Sequence, residues 1–298
     1  MPNGGLRRLA HALLPVLGLA CARAPAEPGP SPPESQLAAP PAVAAAEPEP
    51  QAAADEREGL VEEPANGVPG ADVPPEDAGA PALEHAFQEP LPPRDLARDA
   101  PAVRAANLSP SACLAELRKR NLPFVRDTGA APGVAAPVRM TGPLRGVRFV
   151  APGKKSVYGK LDCRLALALD ELVTVLERHG VVAVRVDNLY RPKARLPGRR
   201  TASQHRYGLA ADITAFELAD GSVLSIETEW RSPIGSVPCG PEARLDDPAP
   251  PAVALRNLVC DVARSGTFHH LLTPSYNAAH RDHVHFDIKR GEKRWIIE

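Results

Sequence analysis

The sequence predicts an α+β domain, an antiparallel sheet with flanking helices, preceded by a disordered tether. Three observations predict it. Prolines crowd one segment, with 18 of the 35 between Ala22 and Ala106. Beyond Ser109, capped helical repeats and short β-branched runs follow one another in mixed order. The run ending at Phe216 then turns at Ala219-Asp220-Gly221-Ser222 into Val223 to Ile226, which is a hairpin signal. We divide the chain into a signal segment (1–20), a linker (21–107) and a folded domain (108–298).

Arg7 and Arg8 precede an apolar run from Leu9 to Ala20. It is too short to span a bilayer and has the shape of a bacterial secretory signal. Cys21 follows Gly18-Leu19-Ala20 and is the candidate lipidation site of a lipoprotein-type signal peptide. The expected location is the bacterial cell envelope, lipid-anchored to a membrane and facing the periplasm or the outer membrane, with secretion as the alternative. The linker is rich in Pro, Ala and Glu, and between Ala22 and Ala106 it carries 16 acidic and 5 basic residues. With almost no aromatic side chain it buries too little apolar surface to offset its chain entropy. As a flexible tether it would reach on the order of 50 Å.

The whole chain has a formal net charge of -1, yet residues 107–298 hold 28 basic and 20 acidic side chains. This excess serves solubility or attraction to an anionic polymer such as cell wall or a membrane surface. No nucleic-acid motif accompanies it. Apart from Cys21, the cysteines are Cys113, Cys163, Cys239 and Cys260, an even number without a C-x-x-C pair, as suits disulfides in an exported protein. Three pairings are open, and Cys113 with Cys163 and Cys239 with Cys260 is the working choice.

Within the domain, Ser109 and Pro110 open a short helix to about Arg120, with Cys113, Leu114 and Leu117 on one face. Phe124-Val125, Val138 to Met140 and Val147 to Val150 are short strand candidates in an irregular subdomain. Asp162 caps a helix from Cys163 to His179, whose Leu165, Leu169, Leu172, Val173 and Leu176 repeat at helical spacing before Gly180. Val181 to Tyr190 alternates as a strand and ends at Arg191. Ala210 to Phe216, Phe268 to Leu272 and His283 to Lys289 are further strands, and Ala252 to Arg264 is a helix. Ser232 to Pro251 is a Pro-rich loop, and Asn277 to Asp282 is the loop that precedes the last strand.

Two stretches carry chemistry. Ser203-Gln204-His205-Arg206-Tyr207-Gly208-Leu209-Ala210-Ala211-Asp212 offers an imidazole and a carboxylate; His283-Val284-His285 offers two imidazoles that a strand points to one side. Together they are a candidate zinc site, three protein ligands leaving one tetrahedral position open, as in catalytic rather than structural centres. His269 and His270 read as structural, with a hydrogen bond to a ligand as the alternative. His179 reads as a surface residue. Ser203 has no nucleophile elbow around it.

With those residues in view, the chain resembles the bacterial extensin-like C-terminal domain family over about Ser109 to Lys289, through Leu144-Arg145-Gly146-Val147-Arg148-Phe149, Phe216-Glu217-Leu218-Ala219-Asp220-Gly221 and Pro274-Ser275-Tyr276-Asn277-Ala278-Ala279. Through Ser-x-His-x-x-Gly-x-Ala-x-Asp and His-x-His it is more distantly similar to the D-Ala-D-Ala and peptidoglycan zinc metallopeptidases and the hedgehog signalling domain. That resemblance implies Zn²⁺ on His205, Asp212 and His285. It also implies Asp282 as the acceptor of a water proton, with His280 competing for that role, and His283 with Arg191 as oxyanion stabilisers; Ser203 is a hydrogen-bonding support. Pro192 stands where the extensin-like pattern has a Cys beside the Arg, so the disulfide framework is expected to differ. The function implied is a zinc-dependent peptidase, a carboxypeptidase or endopeptidase, acting on peptidoglycan stem peptides. The alternative is a non-catalytic wall-binding lipoprotein with a structural or absent zinc.

Overall fold

The computed structural model describes residues 85–196 and 200–298. The signal segment, Cys21 and the linker up to residue 84 lie outside the described residues. The domain is mixed α+β, and its central feature is a sheet in the order Ile296–Ile297 (β10), His270–Leu272 (β8), Val284–Asp287 (β9), Ala210–Leu218 (β6), Val181–Asn188 (β5) and Arg148–Val150 (β3), with Val223–Ser225 (β7) also paired to β6.

The linker's expected end is corrected: residues 85–107 are built into the domain. A 3-10 turn at Ala86–Gln88 buries Phe87, whose N–H donates to Asn257 Oδ1. Helix α1, Pro101–Asn107, buries Ala102, Ala105 and Ala106. The Trp295 indole donates to the Pro93 carbonyl, and Asp95 bridges to Arg294. Proline-rich composition hid this strap because its few apolar side chains dock singly on the domain instead of repeating along a periodic face.

Helix α2, Pro110–Lys119, starts where Ser109 Oγ accepts the Ala112 N–H, and it buries Cys113, Leu114 and Leu117. Strands β1 (Phe124–Arg126), β2 (Pro137–Met140) and β4 (Leu161–Asp162) form a small sheet, whereas β3 (Arg148–Val150) crosses to the edge of the large one. Helix α3, Cys163–Arg178, is capped by Asp162 and buries Leu165, Leu169, Leu172, Val173 and Leu176. Each of those side chains contributes roughly 1.5–3 kcal/mol of apolar burial. Gly180, at φ 67°, turns the chain into β5, Val181–Asn188.

Strand β6, Ala210–Leu218, is the spine of the sheet. On one side it pairs antiparallel with β5; on the other it pairs with β9 (Val284–Asp287) at its start and with β7 (Val223–Ser225) at its end. The β6–β7 hairpin is the expected one. After the one-turn helix α4 (Ile226–Glu229) and a loop come α5 (Pro250–Arg264), β8 (His270–Leu272), β9 and β10 (Ile296–Ile297). The expected antiparallel sheet is refined at its edges. Its centre is antiparallel, but β3 joins β5 and β10 joins β8 in parallel. Those edge strands arrive from distant segments, so no turn signal marks their direction.

Cys113 bonds Cys163, tying α2 to α3, and Cys239 bonds Cys260, tying the Pro-rich loop to α5. Among the described residues no helix is long and apolar enough to cross a membrane.

Candidate metal centre

Three segments converge at the start of β6. Ser203 caps a 3-10 turn, Gln204–Tyr207, its Oγ accepting the His205 N–H at 3.4 Å. The turn closes on Gly208 at φ 65°, whose carbonyl accepts the Asp162 N–H at 2.9 Å. A Cβ there would meet that nitrogen at 2.8 Å, so this position excludes a side chain on both conformation and space. Two residues later β6 begins, and Asp212 stands directly across from His285 of β9.

His205 Nε2 is 2.9 Å from Asp212 Oδ1 and 3.1 Å from His285 Nδ1, and the latter two are 3.0 Å apart. Among the described residues this is the group of three metal-ligating side chains whose donor atoms all lie within 4.8 Å of one another. Each of the three side chains is also tied from behind. His205 Nδ1 is 3.2 Å from the Leu189 carbonyl, Asp212 Oδ2 accepts from the Asn188 amide at 3.4 Å, and His285 Nε2 is 3.2 Å from Asp287 Oδ2. A carbonyl and a carboxylate only accept, so the outer imidazole nitrogens carry the protons. With both rings neutral, the three inward atoms then present lone pairs to one point.

Two imidazoles and a carboxylate are a zinc donor set, and ligands at tetrahedral vertices around zinc are about 3.4 Å apart. The observed triangle reaches that spacing with a few tenths of an ångström of outward movement.

Electrostatics fit the same reading. Burial works against the Asp212 anion, yet the two imidazoles hold its pKa well below the usual carboxylate range. Burial keeps His205 neutral, overriding Asp212. His285 differs: burial opposes its charge, but Asp212 and Asp287 raise it to about 9, so in the metal-free site it holds the proton that a cation would displace.

A family model described as Extensin-like protein C-terminus matches residues 111–297. The chain belongs to this family. No curated protein and no solved structure matched the chain. The family match covers both histidine motifs and all four disulfide cysteines, while the strap and α1 lie upstream of it.

Around the cluster the extensin-like domain arranges the other expected residues less evenly. His283 Nε2 is 3.6 Å from Asp212 Oδ1, and its Nδ1 is 2.8 Å from Asp282 Oδ1. The Asp282 side chain is 60% exposed, and its contact with the cluster runs through His283. The part sketched for Asp282, taking a proton at the metal itself, is thus one step removed in this geometry. His280 is held by Asn277 Oδ1 at 2.9 Å, with its ring 5.1 Å from that of His283 and 6.1 Å from that of His285. Burial, with the neighbouring His283 and His285, pushes its pKa down to about 4. Arg191 lies exposed just past β5; its backbone N–H donates to the His205 carbonyl, and its charge disfavours protonation of both His205 and His280.

Sequence reading missed Asp287, Asn188 and the Leu189 carbonyl. Asp287 carried a signal, since it follows His285 by two on a strand and so shares its face. His269 is structural as expected, its ring held between the Glu292 carbonyl and the Lys289 N–H. His270 Nδ1 is 2.8 Å from Asp287 Oδ1 and reaches the cluster only through that carboxylate.

Proposed function

We propose that this extensin-like domain is an exported, lipid-anchored, zinc-dependent peptidase acting on peptidoglycan stem peptides. The single observation that carries the proposal is the convergence of three buried lone-pair donors, His205 Nε2, Asp212 Oδ1 and His285 Nδ1, at 2.9–3.1 Å from one another. These residues would hold the ion, which when bound acidifies water and polarises a carbonyl. His283 offers Nε2 for proton transfer beside the cluster, with Asp282 holding its other nitrogen. Arg191 at the rim is suited to a substrate carboxylate or a developing oxyanion. Ser203 sets the turn that aims His205. The excess of 28 basic over 20 acidic residues in 107–298 suits an anionic wall polymer.

The test is digestion of muropeptides by the purified mature protein. Cleavage that needs zinc, stops with a chelator and is lost in His285→Ala is the expected result. One observation favours a second reading, a non-catalytic wall-binding domain with a structural zinc: His205, Asp212 and His285 are only 0%, 2% and 7% exposed. Wall binding by a zinc-loaded protein that releases no product would establish that reading instead.

A further inference from the structure

The donor triangle is backed by a second polar chain that crosses three strands. His270 and Asp287 are direct partners across β8 and β9, as Asp212 and His285 are across β6 and β9. Successive residues on a strand alternate faces, so His285 and Asp287 share one face, and their cross-strand partners share it with them. The side chains follow suit: His270 Nδ1 lies 2.8 Å from Asp287 Oδ1, and Asp287 Oδ2 lies 3.2 Å from His285 Nε2. One carboxylate therefore accepts from two imidazoles. Asp287 is 5% exposed, so water offers little alternative to either bond.

We infer that Asp287, itself held by His270, is a positioning residue that fixes the ring tautomer and orientation of His285 so that Nδ1 is the nitrogen turned toward the metal. This rests on the zinc reading above. Neutral imidazole carries its proton on one nitrogen only, and a buried acceptor at Nε2 selects the tautomer with Nδ1 free. Without Asp287 the proton can sit on either nitrogen, and the ring can rotate about its Cβ–Cγ bond. Histidine 205 needs no such side chain, because the Leu189 carbonyl performs the same task from the backbone. His270 restricts Asp287 in turn: with its far oxygen engaged, the carboxylate cannot swing away from His285.

The experiment measures zinc affinity of the full mature protein by competition with a chromogenic chelator, for the wild type, Asp287→Asn, His270→Ala and His270→Asn. The amide nitrogen of an asparagine at 270 can donate where His Nδ1 does. The expected results are a zinc affinity about 10- to 100-fold weaker for Asp287→Asn, a smaller loss for His270→Ala, and recovery in His270→Asn. In the zinc-loaded wild type, nitrogen NMR of His285 should show the proton on Nε2. This reading needs no variant, so it stands even if Asp287→Asn fails to fold. Unchanged affinity in folded Asp287→Asn, or a His285 proton on Nδ1, overturns the inference while leaving zinc binding intact. A wild type that takes up no zinc overturns both this inference and the function proposed above.

Discussion

Two buried polar clusters lie on either side of Gly208 and are built on opposite plans. In the first, Asp162 accepts the backbone N–H groups of Ala135, Ala136 and Arg164 and also the Arg164 guanidinium, while the nearby Asp127 takes Arg139, Lys160 and the Gly129 N–H. Every acceptor there meets a donor from the chain. In the second, His205, Asp212 and His285 converge with their outer nitrogens on acceptors, so that once the inner His285 proton is displaced three acceptors face one point. A buried cluster that closes on itself needs nothing further; one whose acceptors are held together by a single exchangeable proton offers a cation a place to replace it. Burial alone therefore does not mark function. The direction in which the unpaired electrons point does.

The comparison breaks most visibly at the ligands. On the proposed zinc reading, the metal at about a thousand times its Kd would stabilise the folded protein by roughly 4 kcal/mol. His285→Ala or Asp212→Ala is expected to abolish that gain, read as a zinc-dependent rise in Tm that disappears. A full rise in either variant would contradict the assignment.

On the other side, Asp162→Ala strands the buried Arg164 and leaves the Ala136 N–H without its acceptor. The expected cost is about 3–5 kcal/mol in urea unfolding, with one zinc still bound per folded chain. A cost under about 1 kcal/mol would show that the two clusters are not built differently.

Gly208→Ala sharpens the contrast because that residue touches both. Its left-handed backbone costs an alanine about 1–3 kcal/mol, and the new methyl presses on the Asp162 nitrogen. Both stability and zinc affinity should fall together. A loss of one without the other would separate the clusters.

The smallest effect, taken per pH unit, is the response to pH. His285 is raised to about 9 in the metal-free protein, so its proton stabilises the fold fully below the unfolded value near 6.5 and this contribution is lost as pH rises through about 9. On the proposed reading zinc would compete for the same nitrogen. The stabilisation by zinc, read from the zinc-induced rise in Tm, should therefore grow from pH 6.5 to 9, by up to about 1.4 kcal/mol per unit, and then level off. A flat profile would place the titrating group elsewhere.

Much of this was legible in the residues. Ser109, Asp162 and Gly180 mark helix ends by local chemistry, and the His205–Asp212 and His283–His285 spacings mark the site because strands alternate. Both disulfides follow the working choice of pairing. What escaped was non-local. Phe87 and the alanines of α1 are buried by elements more than fifty residues away, and β3 and β10 join the sheet in parallel without a turn to announce them. Asp287 was missed because its one local signal, the i+2 spacing from His285, is weak until its neighbour on β8 is known to be a histidine. Asp282 illustrates the reverse: proximity in sequence to His283 made it look like part of the centre, yet its side chain turns outward and acts on the imidazole beside it.

The most direct measurement is zinc stoichiometry and X-ray absorption on the reconstituted mature protein. The account predicts one zinc per chain, with two imidazoles and a carboxylate oxygen in its coordination sphere, and none in His285→Ala. A wild-type protein that stays metal-free in excess zinc, or a His285→Ala protein that still holds one, would contradict it.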